Sequence, residues 1–503
     1  MAELPSSVGL PQEMMLGQLD YSLPPDAKSY SVKIQPSNIS SVVSTFTPPI
    51  TASAVMPDAA ATVQNIIFDL PCGASPSMFL DNRFTTLNFT ASLQCTVNSG
   101  GAGATGNPCY LRSSAYAFFD RMYITSQNGQ IIEDISEFGL VNDTLLSLQM
   151  NTSVRHGMST AYGFASVGSA DTEVNAGCCG HQWAQVTNNS PSTTTCNGES
   201  HSYSVPLTSG IIGVLADKFL NVGRTSKLQL VLQTSSVLPI TLQNSATAYT
   251  TTAPTFQLVI SNMSIQCEYI DVGVNALQLL DQTLVDGKAY SHGVTYRTST
   301  ASLPAAISGS TSLLAGIRAS SVKSLFVRFA QGGTPSGTTS VYGKYSSFNP
   351  CLNGINFNIG GIKFPQTPIN PLLCPSQAFR ETQLAIGAWN NSNFQSAIPI
   401  YHYCKLSNFG TYTQGGLAQD YNYQYTDAVS TTVASQSQFI FGENTEVCMR
   451  RGLLSGLNAT SAPIFVELSI NNALTNAHTV YVQAMLDHVV IHDVRSGDIQ
   501  VRV

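Results

Sequence analysis

In Ile464-Phe465-Val466-Glu467-Leu468-Ser469-Ile470, four aliphatics at every second position alternate with Phe465, Glu467 and Ser469. That period of two belongs to a half-buried β-strand. Lys227-Leu228-Gln229-Leu230-Val231-Leu232-Gln233 repeats it, with three leucines on one face and Lys and Gln on the other. The same reading predicts strands at Val63–Leu70, Thr85–Val97, Ala115–Thr125, Thr255–Tyr269, Ser324–Phe329 and His478–Val494. Stretches of Gly, Ser, Thr, Asn and Pro between them read as turns and long loops. Only two segments have helical spacing. Glu133–Met150 places Ile135, Phe138, Val141, Leu145 and Leu148 three and four apart, and Ser376–Ile386 follows Pro375. The chain is predicted to be all-β.

Composition narrows the function classes. The 22 Lys and Arg with 29 Asp and Glu make 10% of the 503 residues, against roughly 25% in an average soluble domain. Hydrophobic content is 43%, so Ser, Thr, Asn, Gln and Gly have replaced the missing charges. Disordered and coiled-coil proteins need the opposite balance. A formal net charge of −7 and a pI near 5.6 give no global attraction for phosphate. The N-terminus, Met1-Ala2-Glu3-Leu4-Pro5, lacks the basic and apolar regions of a secretory signal. No apolar run is long enough for a transmembrane helix. The odd number of cysteines, 11, has no dense even spacing, and mostly reduced thiols are expected. Asn-x-Ser/Thr sequons such as Asn88-Phe89-Thr90 and Asn458-Ala459-Thr460 then arise by chance in an Asn/Ser/Thr-rich chain.

Features recur in order along the chain. Ala115–Thr125 leads to a turn at Asn128-Gly129, a return strand Gln130–Ile132 and the first helix. Ile355–Ile359 leads to Gly360-Gly361, a return strand Ile362–Phe364 and the second helix. Gly210-Ile211-Ile212 and Gly452-Leu453-Leu454 each precede an alternating strand. A duplicated β domain leaves this kind of self-similarity. The expected architecture is two tandem jelly-roll domains, each an eight-stranded antiparallel sandwich, with a few short helices in the connections. The expected boundaries are an N-terminal arm over residues 1–40, a first jelly roll over 41–272 and a second over 273–503. The arm carries Pro5, Pro11, Pro24, Pro25 and Pro36 beside Leu10, Met14, Met15, Leu16 and Leu19, with no strand longer than a few residues.

Phe79-Leu80-Asp81-Asn82-Arg83-Phe84-Thr85-Thr86-Leu87, Phe119-Asp120-Arg121-Met122-Tyr123 running to Asn128-Gly129-Gln130, and Gly361-Ile362-Lys363-Phe364-Pro365 carry a family resemblance. Over most of residues 40–503 the chain resembles the double jelly-roll major capsid proteins of double-stranded DNA viruses, most closely the polinton-like virus and virophage group. The resemblance implies a structural protein without enzymatic activity or cofactor. It implies a homotrimeric, pseudo-hexameric capsomer that tiles an icosahedral shell in the virion and is assembled inside the host cell, not secreted. Implied partners are the chain itself, neighbouring capsomers, penton and minor or cement proteins, and an inner membrane reached by the arm. No sequence-specific nucleic acid is among them.

Motifs that could carry chemistry read more simply as structure. Gly101-Ala102-Gly103-Ala104-Thr105-Gly106 matches a dinucleotide fingerprint. Asn107-Pro108-Cys109 follows it where a helix N-terminus is required, so a flexible hairpin tip is the better reading. Gly287-Lys288 and Gly343-Lys344 lack the rest of a phosphate-binding loop. Cys178-Cys179-Gly180-His181 with Cys196 and His201 is open to three readings: a zinc site, a disulfide, or free loop thiols, the last preferred because the usual Cys-x2-Cys knuckle is missing. His488 and His492 share one face of a predicted strand, where a surface pair or a packed core pair is the default. Tyr421, Tyr423 and Tyr425 make a stripe suited to a sugar or, more simply, to a subunit contact. Catalytic, cofactor and metal residues are therefore expected to be none. The rival reading is a receptor- or carbohydrate-binding β-sandwich of a virion, fibre- or lectin-like. A polysaccharide-active enzyme would need two carboxylates about 5–10 Å apart in a cleft, and no clustered pair stands out.

Overall fold

The computed structural model describes residues 27–46, 60–97, 109–111, 113–163, 182–183, 194–242, 255–331, 344–345, 347, 349–389, 396, 398, 403, 438–446, 455–471, 474 and 477–503. The first half contains β1 (Lys28–Ile34), β2 (Ser41–Phe46), β3 (Asn65–Leu70), β4 (Met78–Val97), β5 (Cys109–Leu111), β6 (Phe119–Thr125), β7 (Ile131–Ser136), β8 (Gln182–Trp183), β9 (Thr194–Pro206), β10 (Leu228–Thr234), β11 (Ile240–Leu242) and β12 (Thr255–Asp271). The second contains β13 (Lys288–Leu303), β14 (Gly309–Ala315), β15 (Val322–Gln331), β16 (Leu352–Ile359), β17 (Ile362–Ile369), β18 (Phe441–Asn444), β19 (Ile464–Ile470), β20 (His478–Asp493) and β21 (Asp498–Arg502). Helices are α1 (Phe138–Gln149), α2 (Thr152–Gly157), α3 (Ser159–Tyr162), α4 (Gly273–Asp281) and α5 (Pro375–Ala385). None among the described residues is long and apolar enough to cross a membrane.

The two halves have one topology. The first pairs a sheet of order β1-β12-β4-β9 with one of order β3-β10-β6-β7; the second pairs β13-β20-β15-β18 with β14-β19-β16-β17. Substituting strand for strand gives the same antiparallel eight-stranded sandwich twice, the jelly roll. β2 extends β1 along the same edge of β12, β21 adds to β20, and β5, β8 and β11 form a small extra sheet. A lesser detail repeats too: Leu80 of β4 bridges Leu220, and Val322 of β15 bridges Leu457, each in the connection before the corresponding strand. The paired hairpins read from the sequence are β6–β7 and β16–β17. Gly360 and Gly361 both have positive φ (60° and 91°), as the tight turn between Ile359 and Ile362 requires. Gly129 at φ 73° closes the other hairpin after a Ser126-to-Gly129 turn.

Apolar alternation explains the packing. Leu228, Leu230 and Leu232 are fully buried, as are Ile464, Val466, Leu468 and Ile470, while Phe465, Glu467 and Ser469 are only partly covered. Ile66, Phe68, Phe89, Phe118 and Phe119 join them in the first sandwich, and Phe326, Phe329, Phe357 and Phe441 in the second, within one continuous core.

Four expectations need correction. Glu133–Ser136 is strand, not helix: the hairpin after Gly129 runs on to Ser136, buries Ile132 and Ile135, and sets Arg121 against Asp134 at 2.7 Å. Glu137 turns the chain out of the strand at φ 54°, and α1 starts only at Phe138. Ala115–Phe118 is a buried 3-10 turn, not the start of a strand, and donates an aromatic wedge to the core. Helices also occur beyond the two expected, including α4 between the halves. Finally, Lys28–Ile34, assigned to the arm, pairs with Asp271–Ile265 of β12 and completes the first sandwich. Residues 1–26 lie outside the described residues. The expected 272/273 boundary falls at the start of α4.

Candidate functional site at the seam between the sandwiches

α1 is the wedge of the seam. Its sequence, Phe-Gly-Leu-Val-Asn-Asp-Thr-Leu-Leu-Ser-Leu-Gln, is apolar on the side facing its own sandwich and small or polar on the other. Asn142, Asp143, Thr144 and Ser147 are all buried, so the second side is covered as well. Arg328, 2% exposed on β15 of the second sandwich, answers it. One guanidinium nitrogen donates to Asp143 Oδ2 at 2.6 Å and to Thr144 Oγ1 at 3.1 Å, and the other donates to the Tyr345 carbonyl at 2.8 Å. Ser113 donates to the remaining Asp143 oxygen. A Cβ on Gly139 would lie 2.5 Å from the Tyr345 hydroxyl and 2.7 Å from the Tyr116 carbonyl, so only glycine lets helix and second sandwich close.

A second ionic knot sits at the N-terminus of α1. Lys344 binds Asp120 of β6 and reaches Glu137 Oε2 at 3.0 Å. Asp120 also accepts from the Ser236 amide and hydroxyl, both at 2.7 Å, and from Ser235 at 3.0 Å. Burial alone would raise the Asp120 carboxyl; Lys344 and the Ser236 donors outweigh it and leave it below its usual range. Burial would lower the Lys344 amine, and Tyr345, Asp120 and Glu137 together raise it instead.

The third region joins β7 and the Ser209–Gly210 turn to β13 and β20. Glu133, fully buried, accepts from Ser209 and from the Gly210 amide at 2.8 Å, and lies 3.9 Å from Nδ1 of His488. Burial pushes the Glu133 carboxyl up to about 7 and the His488 imidazole down to about 4. Gly210 and Gly293 touch backbone to backbone: a Cβ on Gly293 would meet the Gly210 carbonyl at 2.5 Å. Nearby, Asp217 and His292 exchange backbone and carboxylate bonds at 3.0 and 2.9 Å. Asp487, with no exposed surface, accepts from His292 Nε2 and the Ser455 amide, both at 2.8 Å, and from Ser321. Burial opposes its charge, but His292, Ser321 and Lys323 hold the carboxyl well below the usual range.

Most of these charges are paired and largely buried, while Arg328 Nε and both ring nitrogens of His488 find no hydrogen-bond partner. The pairs can fix the angle between two sandwiches; the arrangement offers no open cleft with an activated nucleophile or acid–base pair.

Other residues singled out by sequence fall as follows. His488 and His492 are both buried, the core-pair reading; His492 Nε2 lies 3.3 Å from Thr225 Oγ1 and from the Arg224 carbonyl across the seam. Lys288 begins β13 and Lys344 belongs to the seam. Residues 101–106, Cys178, Cys179, His181, Tyr421, Tyr423 and Tyr425 lie outside the described residues. Cys196 and His201 are in β9, opposite Cys95 and Ala91 of β4. Among the described residues no group of three or more His, Cys, Asp or Glu could hold a metal ion, and Cys72, Cys267 and Cys374 are free thiols. Sequence reading missed Arg328, Asp143 and Glu133. The available signal was scarcity: in a charge-poor chain, an arginine between Val327 and Phe329 on an apolar strand needs a buried partner.

No family model matches the chain, and no curated protein matches it by sequence. Solved structures do match. A chain of the Sputnik virophage cryo-EM structure superposes with TM-score 0.51 at 11% identity, over 92% of this chain and 88% of that one. The mavirus major capsid protein superposes with TM-score 0.50 at 10% identity, over 96% and 91%. At such identities the likeness is one of fold, and the shared fold is the double jelly roll.

Proposed function

We propose that this protein is the structural major capsid protein of a double-stranded DNA virus, with no catalytic role. The observation that carries the reading is the pair of identical topologies in one chain, locked by a buried ionic seam. A chain with two equivalent sandwiches at a fixed angle supplies two of six corners, so three copies make a pseudo-hexameric capsomer suited to hexagonal tiling. The low charge of the chain favours close self-association, since few ions must lose water at contacts. Its place is the virion shell, assembled inside the host cell. Its partners are copies of itself, penton and minor or cement proteins, and an inner membrane approached by the segment before β1. Sequence-specific nucleic acid is not among them.

Light scattering and negative-stain microscopy of purified protein test this. Particles of three chain masses with pseudo-hexagonal outline, or closed shells, are expected. A 53.6 kDa monomer at micromolar concentration overturns the reading.

A further inference from the structure

Of the ion pairs in the seam, the one at Lys344 has a nucleophile and an electrophile in contact. Its amine meets two carboxylates at once, Asp120 of β6 and Glu137 Oε2 at 3.0 Å. The Lys344 side chain is 9% exposed, and its nitrogen lies 5.6 Å from the Tyr345 ring, which packs with Ala117 and Leu140. Water is therefore scarce around the amine. The Arg328 guanidinium, by contrast, stays protonated and is no nucleophile. Lys323 lies between Glu446 and Asp487, but it stands 3.4 Å from an Asp487 oxygen that His292 already holds at 2.8 Å.

Asp120 is held as an acyl group awaiting attack would be. Its Oδ2 accepts from the Ser236 amide and hydroxyl, both at 2.7 Å, two donors placed where a tetrahedral intermediate gathers charge. Its Oδ1 accepts from Ser235 Oγ at 3.0 Å and from Lys344. Glu137 reaches the same amine from a strained position. Its backbone sits at φ 54° and ψ 42°, the left-handed region that suits Gly or Asn. Strain of this kind collects where the placement of one side chain matters. Glu137 is also 26% exposed, which opens the cluster to solvent on one side.

We propose that Lys344 and Asp120 condense into an isopeptide bond that ties the first sandwich covalently to the second, with Glu137 as the proton carrier. In the resting cluster both partners are ionised, as their surroundings dictate, so the step starts from the ion pair. Lys344 Nζ gives up two of its three protons; Glu137 takes each in turn and passes it to Asp120 Oδ1. The freed lone pair forms the Nζ–Cγ bond while charge rises on Oδ2 against the Ser236 donors. The Cγ–Oδ1 bond then breaks, and its electron pair leaves with Oδ1 as water. Nothing is oxidised or reduced, and Glu137 ends as the carboxylate it began as, accepting from the new amide N–H. Condensation removes two charges from a dry site, which favours it. The fixed contact of the reactants supplies the effective concentration. Each chain reacts once, so this is a self-modification without turnover, and it stands apart from the capsid reading.

Mass spectrometry of the purified full-length chain tests it. The intact chain is expected to be lighter than its sequence by one water. Its tryptic map is expected to hold one branched peptide joining the Asp120 and Lys344 segments, with no cleavage after Lys344. Lys344→Arg keeps the ion pair but has no amine to acylate, so it should fold and show the full sequence mass. Asp120→Asn should lose ammonia in place of water and reach the same cross-linked mass as wild type. Glu137→Gln keeps the size of the side chain and removes the carboxylate. Its condensation, followed as the fraction of branched peptide with time, is expected to slow about a hundredfold or more. A wild-type map with separate linear peptides, one ending at Lys344, overturns the bond and requires no variant to fold. Condensation at the wild-type rate in Glu137→Gln overturns the proton carrier. Should that variant not fold, Glu137→Asp, whose carboxylate stops short of the amine, takes its place with the same expectation.

Discussion

Arg328 has no solvent on either side of its strand, and its charge is answered by the Asp143 carboxylate of the other sandwich, with Thr144 and the Tyr345 carbonyl accepting its remaining bonds. Removing one member of such a pair leaves an uncompensated buried charge. Arg328→Ala is therefore expected to destabilise by about 3–5 kcal/mol. Arg328→Met with Asp143→Leu should recover most of that loss, read as urea midpoints of the three proteins. Glu133 and His488 give a pH signature. The folded value of Glu133, about 7, lies above the ordinary 4.5, so its stabilisation is full below pH 4.5 and lost as pH rises through 7. His488 runs the other way: its folded value of about 4 lies below 6.5, so its stabilisation is full above pH 6.5 and lost as pH falls through 4. Each slope amounts to about 3 kcal/mol, and they oppose each other between pH 4.5 and 6.5. Relative to wild type, Glu133→Gln should gain stability steadily from pH 4.5 to 7. A difference that stays constant across that range would contradict the assigned burial effect.

At the level of elements, the hairpins and alternating strands were legible because a strand with one wet face writes its burial directly into the sequence. Leu228–Thr234 and Ile464–Ile470 lie within a residue of expectation. Errors arose where a segment is covered on both sides. Ile135 and Phe138 are three apart and look helical, yet one ends a strand and the other begins α1, since tertiary contacts fill both positions. β1 was hidden for another reason: Lys28-Ser29-Tyr30-Ser31 is largely exposed and looks like a tail, and only pairing with β12 makes it a strand. The seam itself was not legible, because nothing in one sequence says which buried charge faces which. Gly139 tests the fit of α1. Alanine improves helix propensity by about 1 kcal/mol, but its Cβ would meet the Tyr345 hydroxyl and two carbonyls. Gly139→Ala is thus expected to destabilise by about 1–3 kcal/mol despite the better propensity; a higher melting temperature would show that the helix can shift.

For the whole molecule, the segment before β1 leaves beside the start of α4, since Lys28 pairs with Asp271. Residues 1–26 combine four prolines with Leu10, Met14, Met15, Leu16 and Leu19, a composition that orders on a partner and not alone. On the proposed capsid reading, deleting residues 2–26 should leave self-association intact, because both sandwiches keep all their strands, and should impair closure of shells. Normal shells viewed by microscopy would reduce the segment to a leader. The single core running through both sandwiches, with glycine backbones in contact at Gly210 and Gly293, has a mechanical consequence. On the proposed capsid reading, such a chain is a tile whose described residues hold no hinge between the two sandwiches. Curvature in any lattice of these chains must come from dihedral angles at the tile edges, so flat and strongly bent regions of a shell would be built from bricks of one shape, differing only in their mortar.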